Sequence, residues 1–599
     1  MWRKSLKYYL MVVFCLFVCA CTATTSSSSS SSSSSGSSAT AGGSAEFDTW
    51  CDEQFKNELM SNFITFHDYC ENGDDFGIDR DDVAKTFGTL MDEDTWKSEK
   101  AEVDELLASL KKFDRDDLSS PQQDVYDELL YQYEISSELK SEDYYYYAQE
   151  FSTATGWHAS VSSTLSDFEF YSEEDIEDLI ATLKTIPDYT DSSVAYTKTQ
   201  AEKGYLLTDP EDVQDQIADV IEAGTDSAVL TALNDHIADL GLSDEKTKSY
   251  QSDMTTVFKD CVIASLKKID ALMDEVKANY KNKGGYANFP NGKAYYALLL
   301  KQACGRDITP DEFASQVKSY ITDDLTSLRQ VANASEAGNT SLDSYEKILS
   351  TAEDNLSKYF PDVEDMEYEI KDIDEEIAYT GGTAAYFVVP AVDTTRKYQI
   401  RVNPTSDDIT SLDTYMTVCH EGIPGHMYQF KYLYENAYNN LQKISPVIGY
   451  YEGWAVYAGY FALNYLSGSI SQSSLLLYKF NEITIYDVIL LCDYYIHYEG
   501  YSLTDIQNVM SQYGLNASGD GQYLQNWSNP CLFQPYYYGY HQMFDAREKA
   551  QDALGDNFDY KSFHEALLKA NGCPYSVVDK YVDAYIQEGG GSSSSSTTI

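Results

Sequence analysis

"CHEGIPGHMYQF", residues 419–430, decides how the chain is to be read. His420 and Glu421 are followed by His426, six positions after the first histidine. A zinc site on one helix face takes its two histidines four positions apart, because four residues turn about 400° and return a side chain to nearly the same face. Six residues turn about 600° and rise about 9 Å, which leaves the imidazoles about 240° apart. Both could not then lie about 2 Å from one zinc ion. A metal reading therefore requires the helix to break between them, and the intervening residues supply the means. Pro424 lacks a backbone donor and clashes with the preceding turn, while Gly422 and Gly425 accept unusual dihedrals. The prediction is a helix starting near Thr410, with Thr410 as its cap and Asp413 three residues on. It carries His420 and Glu421 on its last regular turns and breaks across Gly422 to Gly425, so that His426 comes round to face His420.

Downstream lies "ISPVIGYYEGWAVYAGYFALNYLSGSISQSSLLLY", residues 444–478, where Glu452 is the sole charge. In a chain that is 23% charged, about eight charges would be expected in such a run. This reads as a buried helix with one carboxylate, and a buried carboxylate is paired or binds metal. Glu452 follows His426 by 26 residues and is expected to converge on the two imidazoles. A third stretch, "GQYLQNWSNPCLFQPYYYGYHQMF", residues 521–544, is aromatic, rich in hydroxyls and amides, and uncharged. That composition suits a loop across the cleft that donates hydrogen bonds, or a packed loop.

Upstream, "TAAYFVVPAVDTTRKYQIRVNP", residues 383–404, carries two β-rich runs. Tyr398, Ile400 and Val402 alternate with polar residues, as in a half-buried strand, and Pro390 and Pro404 suggest an edge hairpin. Most of the remaining chain has helical periodicity. "SEEDIEDLIATLKTI" (172–186) opens on a Ser cap. "TPDEFASQVKSYITDDLTSLRQVAN" (309–333) has Thr309 as cap, Pro310 at the first helical position and Glu312 completing a capping box. "DPEDVQDQIADVIEAG", "FDYKSFHEALLKANG" and "SVVDKYVDAYI" follow the same style.

The ends differ. Arg3, Lys4 and Lys7 precede an apolar run too short to span a bilayer, as in a secretory signal over residues 1–20. "VCAC" resembles a bacterial lipobox with Cys21 as the lipidated residue. A Ser/Gly tether occupies 21–45, with a root-mean-square reach of about 27 Å. Residues 589–599 read as a disordered tail. Between them, the seam at "NYKNKGGYANFPNG" (279–292) divides an N-terminal helical lobe, 46–285, from a catalytic lobe, 286–588. The net charge of −55 argues against nucleic-acid binding, which needs a basic face. The 52 tyrosines are read mainly as packing. The cysteines form no CxxC pair, so they signal no cysteine zinc site.

Taken together, "HEGIPGH", "YEGWAVYAGY" and "PYYYGYHQMFDAREKAQDALGDNFDYKSFHEALL" resemble the bacterial domain-of-unknown-function 885 family across roughly residues 47–588. Its members resemble mostly helical, cleft-forming zinc metallopeptidases. The resemblance implies Zn²⁺ on His420, His426 and Glu452, with Glu421 as catalytic acid/base. The family's Tyr-x-x-Gly maps onto Tyr536 and Gly539, and its Phe-His onto Phe563 and His564. The chain departs where members often carry an acid seven residues after the ligand Glu; here it is Gly459. The cluster Tyr536 to Tyr538 leaves the register of the catalytic tyrosine open, and His564 or His541 could assist it. His67, His158, His236 and His497 lack companions and read as structural.

The expectation is a mainly α, large two-lobed, zinc-peptidase-like body with a small β hairpin beside the cleft. It would hydrolyse peptide substrates at the bacterial cell surface, bound to the membrane through lipid only. A ligand-binding lipoprotein without catalysis, and a zinc hydrolase of a non-peptide amide, are the alternatives. Glu421 beside His420 speaks against the former, since a binding protein has no use for a base there.

Overall fold

The computed structural model describes residues 43–279, 284–373, 384–405, 408–515 and 521–591. The signal segment, Cys21, most of the tether and the tail from 592 lie outside the described residues, as does part of the 279–292 seam. The fold is mainly helical with one small sheet. Local chemistry explains the helix starts. Ser172 caps Glu173–Leu183 in a capping box with Asp175. Thr309 and Glu312 form the box that opens Pro310–Gln330, with Pro310 at its first position. Asp209 caps Pro210–Ala223. In each case a side-chain oxygen satisfies an amide that the first turn leaves without a partner.

Apolar side chains gather into two large buried clusters. One draws on residues 47–276 with Leu441 and Ile444 from further on. The other draws mainly on residues 286–585, together with Tyr147 and Leu207. Tyrosines are prominent in the second, where Tyr286, Tyr296, Tyr415, Tyr428, Tyr450, Tyr457, Tyr538 and Tyr575 are among the largest fully buried side chains. Many donate their hydroxyls to backbone carbonyls, as Tyr428 does to Pro361 at 2.6 Å and Tyr415 to Ala462 at 2.8 Å. A buried hydroxyl costs little when so partnered.

The sheet has three strands, β1 (Tyr368–Asp372), β2 (Ala385–Val388) and β3 (Tyr398–Val402), in the order β1-β3-β2. β2 and β3 pair antiparallel, with Phe387 opposite Ile400. β3 is central rather than an edge, because β1 pairs with it in parallel, Tyr368 opposite Tyr398. The polar run "YEIKD" carries no strand signal of its own; its pairing is with residues some thirty positions on, which local pattern does not show.

Two further readings are corrected. The uncharged run 444–478 is not one helix: Ile448–Ala462 is followed by a short 3-10 turn, and Ser471 caps a second helix, Gln472–Tyr494. The uncharged stretch 521–544 is not a loop. It forms a helix at Gly521–Ser528, a π-helical turn at Gln534–Tyr538 and the start of Gly539–Leu554. The Glu452 helix and this last segment meet backbone to backbone. A Cβ on Gly453 would come within 2.8 Å of Gly539 Cα, and one on Gly539 within 2.5 Å of the Gly449 oxygen. The Tyr575 hydroxyl sits between the Gly449 and Gly539 carbonyls, at 2.8 and 3.0 Å.

All eight cysteines of the described residues are free, and seven are buried.

Candidate metal centre

The His420 helix runs Leu412–Glu421. Its cap is Ser411, whose side chain accepts from Thr414 N at 3.0 Å; Thr410 lies one residue outside and binds Asp408 instead. The helix ends at Gly422 (φ −95°, ψ −110°), and a new helix, His426–Asn436, begins after Gly425 (φ −80°, ψ −130°). The Ile423–Pro424 peptide between them is cis. Gly425 N donates to Cys419 O at 3.0 Å. A Cβ on Gly425 would stand 1.8 Å from His420 O, so no side chain fits there. The Trp454 indole donates to Pro424 O at 3.1 Å and ties the break to the Glu452 helix.

This break turns the two imidazoles toward one another, with ring centroids 4.7 Å apart and planes at 86°. Glu452 reaches them from Ile448–Ala462. Its Oε2 lies 3.3 Å from His420 Nε2 and 3.4 Å from His426 Nε2. Glu452 is 0% exposed and His426 1%, whereas the His420 side chain is 14% exposed, so the cluster opens on the His420 side. Despite that proximity, His426 Nε2 and both Glu452 oxygens make no hydrogen bond. Buried polar atoms are rarely left so. Atoms spaced in this way around a point are what a cation of about 2 Å bond length requires.

Neighbours hold the pieces in place. His426 Nδ1 lies 3.3 Å from Gln429 Oε1, one turn along its own helix, and the imidazole stacks on Tyr451 at 3.9 Å. Orienting the non-ligating nitrogen in this manner is the usual support for a metal-binding imidazole. Glu421 is buried beside the cluster, its Oε1 3.8 Å from His420 Nε2. Its Oε2 accepts from Phe387 N, on the side of β2 away from β3, at 3.0 Å. Burial pushes the Glu421 carboxyl up to about 7, with His420 and the Phe387 amide opposing and the Glu452 charge adding to the rise. Burial opposes ionisation of Glu452 too, but His426 and His420 outweigh it and hold that carboxyl at about 2. Two neighbouring carboxyls are thus pushed apart, one held ionised and one near neutrality, which is how acid/base roles are commonly divided.

Among the three consecutive tyrosines, Tyr536 is the one beside the cluster. Its ring lies parallel to His420 at 6.1 Å, and burial, then Glu452 and Glu421, push its phenol well above the usual value. Tyr537 stacks on Tyr486 at 3.8 Å, and Tyr538 donates to Gln316 at 2.8 Å. The structure does not bring His564 to this cluster. Its Nδ1 lies 2.6 Å from Tyr359 O and its Nε2 2.9 Å from the Tyr457 hydroxyl, while Phe360 stacks on its ring at 4.3 Å. Both nitrogens are occupied in the core, and burial lowers the imidazole to about 3. His541 is also elsewhere, 2.9 Å from Asp487. The Phe387 amide and Gln429 escaped the sequence reading. For Gln429 the i+3 spacing from His426 was a usable signal; for Phe387 there was none. A cavity of about 150 Å³ lined by Tyr457, Lys479, Tyr540 and Arg547 includes none of these cluster residues.

The family model described as "Bacterial protein of unknown function (DUF885)" matches residues 74–582. Two solved structures share the fold. One is a candidate lipoprotein from Colwellia psychrerythraea, 14% identical, with a TM-score of 0.73 over 91% of this chain and 99% of that one. The other is a candidate lipoprotein of unknown function from Shewanella oneidensis, 16% identical, with a TM-score of 0.60 over 90% and 99%. No curated protein matches the chain. Among the described residues no helix is long and apolar enough to cross a membrane.

Proposed function

The chain belongs to the DUF885 family of bacterial proteins of unknown function, and we propose that it is a zinc-dependent hydrolase of peptide bonds, tethered outside the cell membrane through lipid on Cys21. The observation that carries the reading is the set of unbonded buried atoms, His426 Nε2 and both Glu452 oxygens, converging with His420 Nε2 beside a carboxyl raised toward neutrality. Zinc held by His420, His426 and Glu452 would keep a fourth position for water and polarise a substrate carbonyl.

The protein's own groups divide the remaining work. Glu421 takes a proton from the attacking water and returns it to the leaving amine, a task suited to a carboxyl near 7. The Phe387 amide fixes the Glu421 oxygen that faces the sheet. Tyr536, its phenol kept protonated, donates to the oxygen on which charge develops. Because β2 pairs only with β3 among the described residues, and strand residues alternate, Ala385 presents its amide and carbonyl on the same side as Phe387. An extended substrate pairs there, as peptides do with strand edges.

The test uses the purified chain in zinc and a mixed peptide library read by mass spectrometry. Wild type should cut peptides. Glu421→Gln should retain one zinc at this site and lose turnover by about 10²–10⁴-fold, because only the base is removed. Zinc binding without cleavage of any peptide by wild type would replace this reading with that of a ligand-binding protein.

A further inference from the structure

A second group of metal-binding side chains lies in the interior, away from the cluster above. Asp324 comes from Pro310–Gln330, Asp487 from Gln472–Tyr494 and His541 from Gly539–Leu554. One ligand atom from each lies within 4.8 Å of the other two, a spacing shared with His420, Glu421 and His426. The three are 8%, 0% and 4% exposed. His541 Nε2 stands 2.9 Å from Asp487 Oδ1, the Asp324 and Asp487 carboxyls face each other within hydrogen-bond reach, and no N–H or O–H donor meets Asp324 Oδ2 or Asp487 Oδ2. Among the described residues no lysine or arginine pairs with either carboxylate. The imidazole is held in plane by Tyr320, whose ring lies parallel to it at 3.8 Å and 2° and whose hydroxyl donates to Asp545 at 2.8 Å.

Two carboxylates and an imidazole so buried need a compensating positive charge, or they must take up protons. Lys479 approaches without pairing. It lies over the Tyr540 and Phe544 rings, at 5.3 and 5.1 Å. We propose that Asp324, Asp487 and His541 form a second cation site, for a divalent first-row transition metal such as Zn²⁺. The donor set selects the class. One nitrogen and two carboxylates suit zinc or manganese, whereas calcium would need six to eight oxygens. A doubly charged ion leaves the site neutral overall, as burial favours. The proposal does not rest on the hydrolase reading.

The site also has a position in the fold. His541 follows Tyr536 by five residues and opens the helix that Gly539 presses against the Glu452 helix. A metal there would clamp three helices together behind the tyrosine and position it. The role is structural, with no contact to substrate.

The experiment separates the two sites by stoichiometry. The full chain is loaded with Zn²⁺, dialysed, and its zinc counted by plasma mass spectrometry. Wild type should carry two equivalents. The double variant His420→Ala/Glu452→Gln should keep one, and addition of Zn²⁺ to its metal-free form should raise Tm by several degrees. His541→Phe, which retains the ring against Tyr320, and the near-isosteric Asp324→Asn should each lose one equivalent. Combined with the double variant, either should abolish the Zn²⁺-dependent rise. If the double variant holds no zinc and shows no such rise, the carboxyls share a proton and no metal binds them. Zinc content unchanged in both His541→Phe and Asp324→Asn would overturn the proposal equally. Loss of peptide cleavage with both equivalents retained would overturn only the hydrolase reading.

Discussion

Gly425→Ala is the sharpest probe of the broken helix. The added methyl would stand 1.8 Å from His420 O, 2.5 Å from His420 C and 2.6 Å from Cys419 O, where ordinary contact is 3.4–4 Å. The obstacle is backbone rather than a movable side chain, so relief requires a shift of about 1.5 Å in the strap that joins the two histidines. Overpacking of this kind costs about 1–3 kcal/mol. His426 follows Gly425 directly and moves with it. Ligand distances tolerate only about 0.2 Å, so zinc affinity should fall at least about tenfold to a hundredfold, as when an oriented ligand loses its support. Competition with a fluorescent chelator would measure the affinity, and urea denaturation the stability. Gly338→Ala is the control, since a Cβ there meets nothing within 4 Å, and it should change stability by less than about 0.5 kcal/mol. Wild-type zinc affinity and stability in Gly425→Ala would refute the reasoning, because the two histidines would then not depend on a side-chain-free strap.

Three further outcomes are expected. Tyr536→Phe should lower kcat about 10²–10³-fold with little change in KM, as for loss of one oxyanion donor; steady-state kinetics on a peptide found in the library decides it. His67→Phe should flatten the acid limb of stability. Burial lowers the imidazole from 6.5 to about 4, so the unfolded chain binds the extra proton; its contribution is full above 6.5 and lost as pH falls toward 4, by up to about 3 kcal/mol. Thermal melts of both proteins across that range would show it, and parallel curves would contradict it. Cys21→Ala should move the protein from the membrane fraction to the soluble one, and unchanged fractionation with no lipid on the native N-terminus would exclude the anchor.

How much of this was legible depends on range in the chain. Caps such as Thr309 with Glu312 and Ser172 with Asp175 act within one turn, and the helix starts followed from them. The isolation of Glu452 in an uncharged run reported its burial, because a lone charge survives there only with partners. The cap falls on Ser411 and not on Thr410, two hydroxyl residues one position apart that local pattern does not separate. What stayed hidden was long-range. The Phe387 amide meets Glu421 across 34 residues, and Asp324 meets Asp487 and His541 from a helix far up the chain. The choice among Tyr536, Tyr537 and Tyr538 required the π-helical turn, whose five-residue closure shifts the faces that ordinary helical spacing would assign.

The glycine contact between the Glu452 helix and Gly539 has a mechanical consequence. Side chains normally act as spacers between helices and can repack, but here main chain rests on main chain, with Gly453 against Gly539 and the Tyr575 hydroxyl as a rivet. Glu452 adjoins one half of this joint and Tyr536 lies three residues before the other. The separation of the two backbones that carry carboxylate and phenol is therefore gauged by atomic radii and does not drift as neighbouring side chains repack. Give in the site belongs to the opposite wall, where β2 leans on Glu421 through a hydrogen bond that can lengthen and re-form.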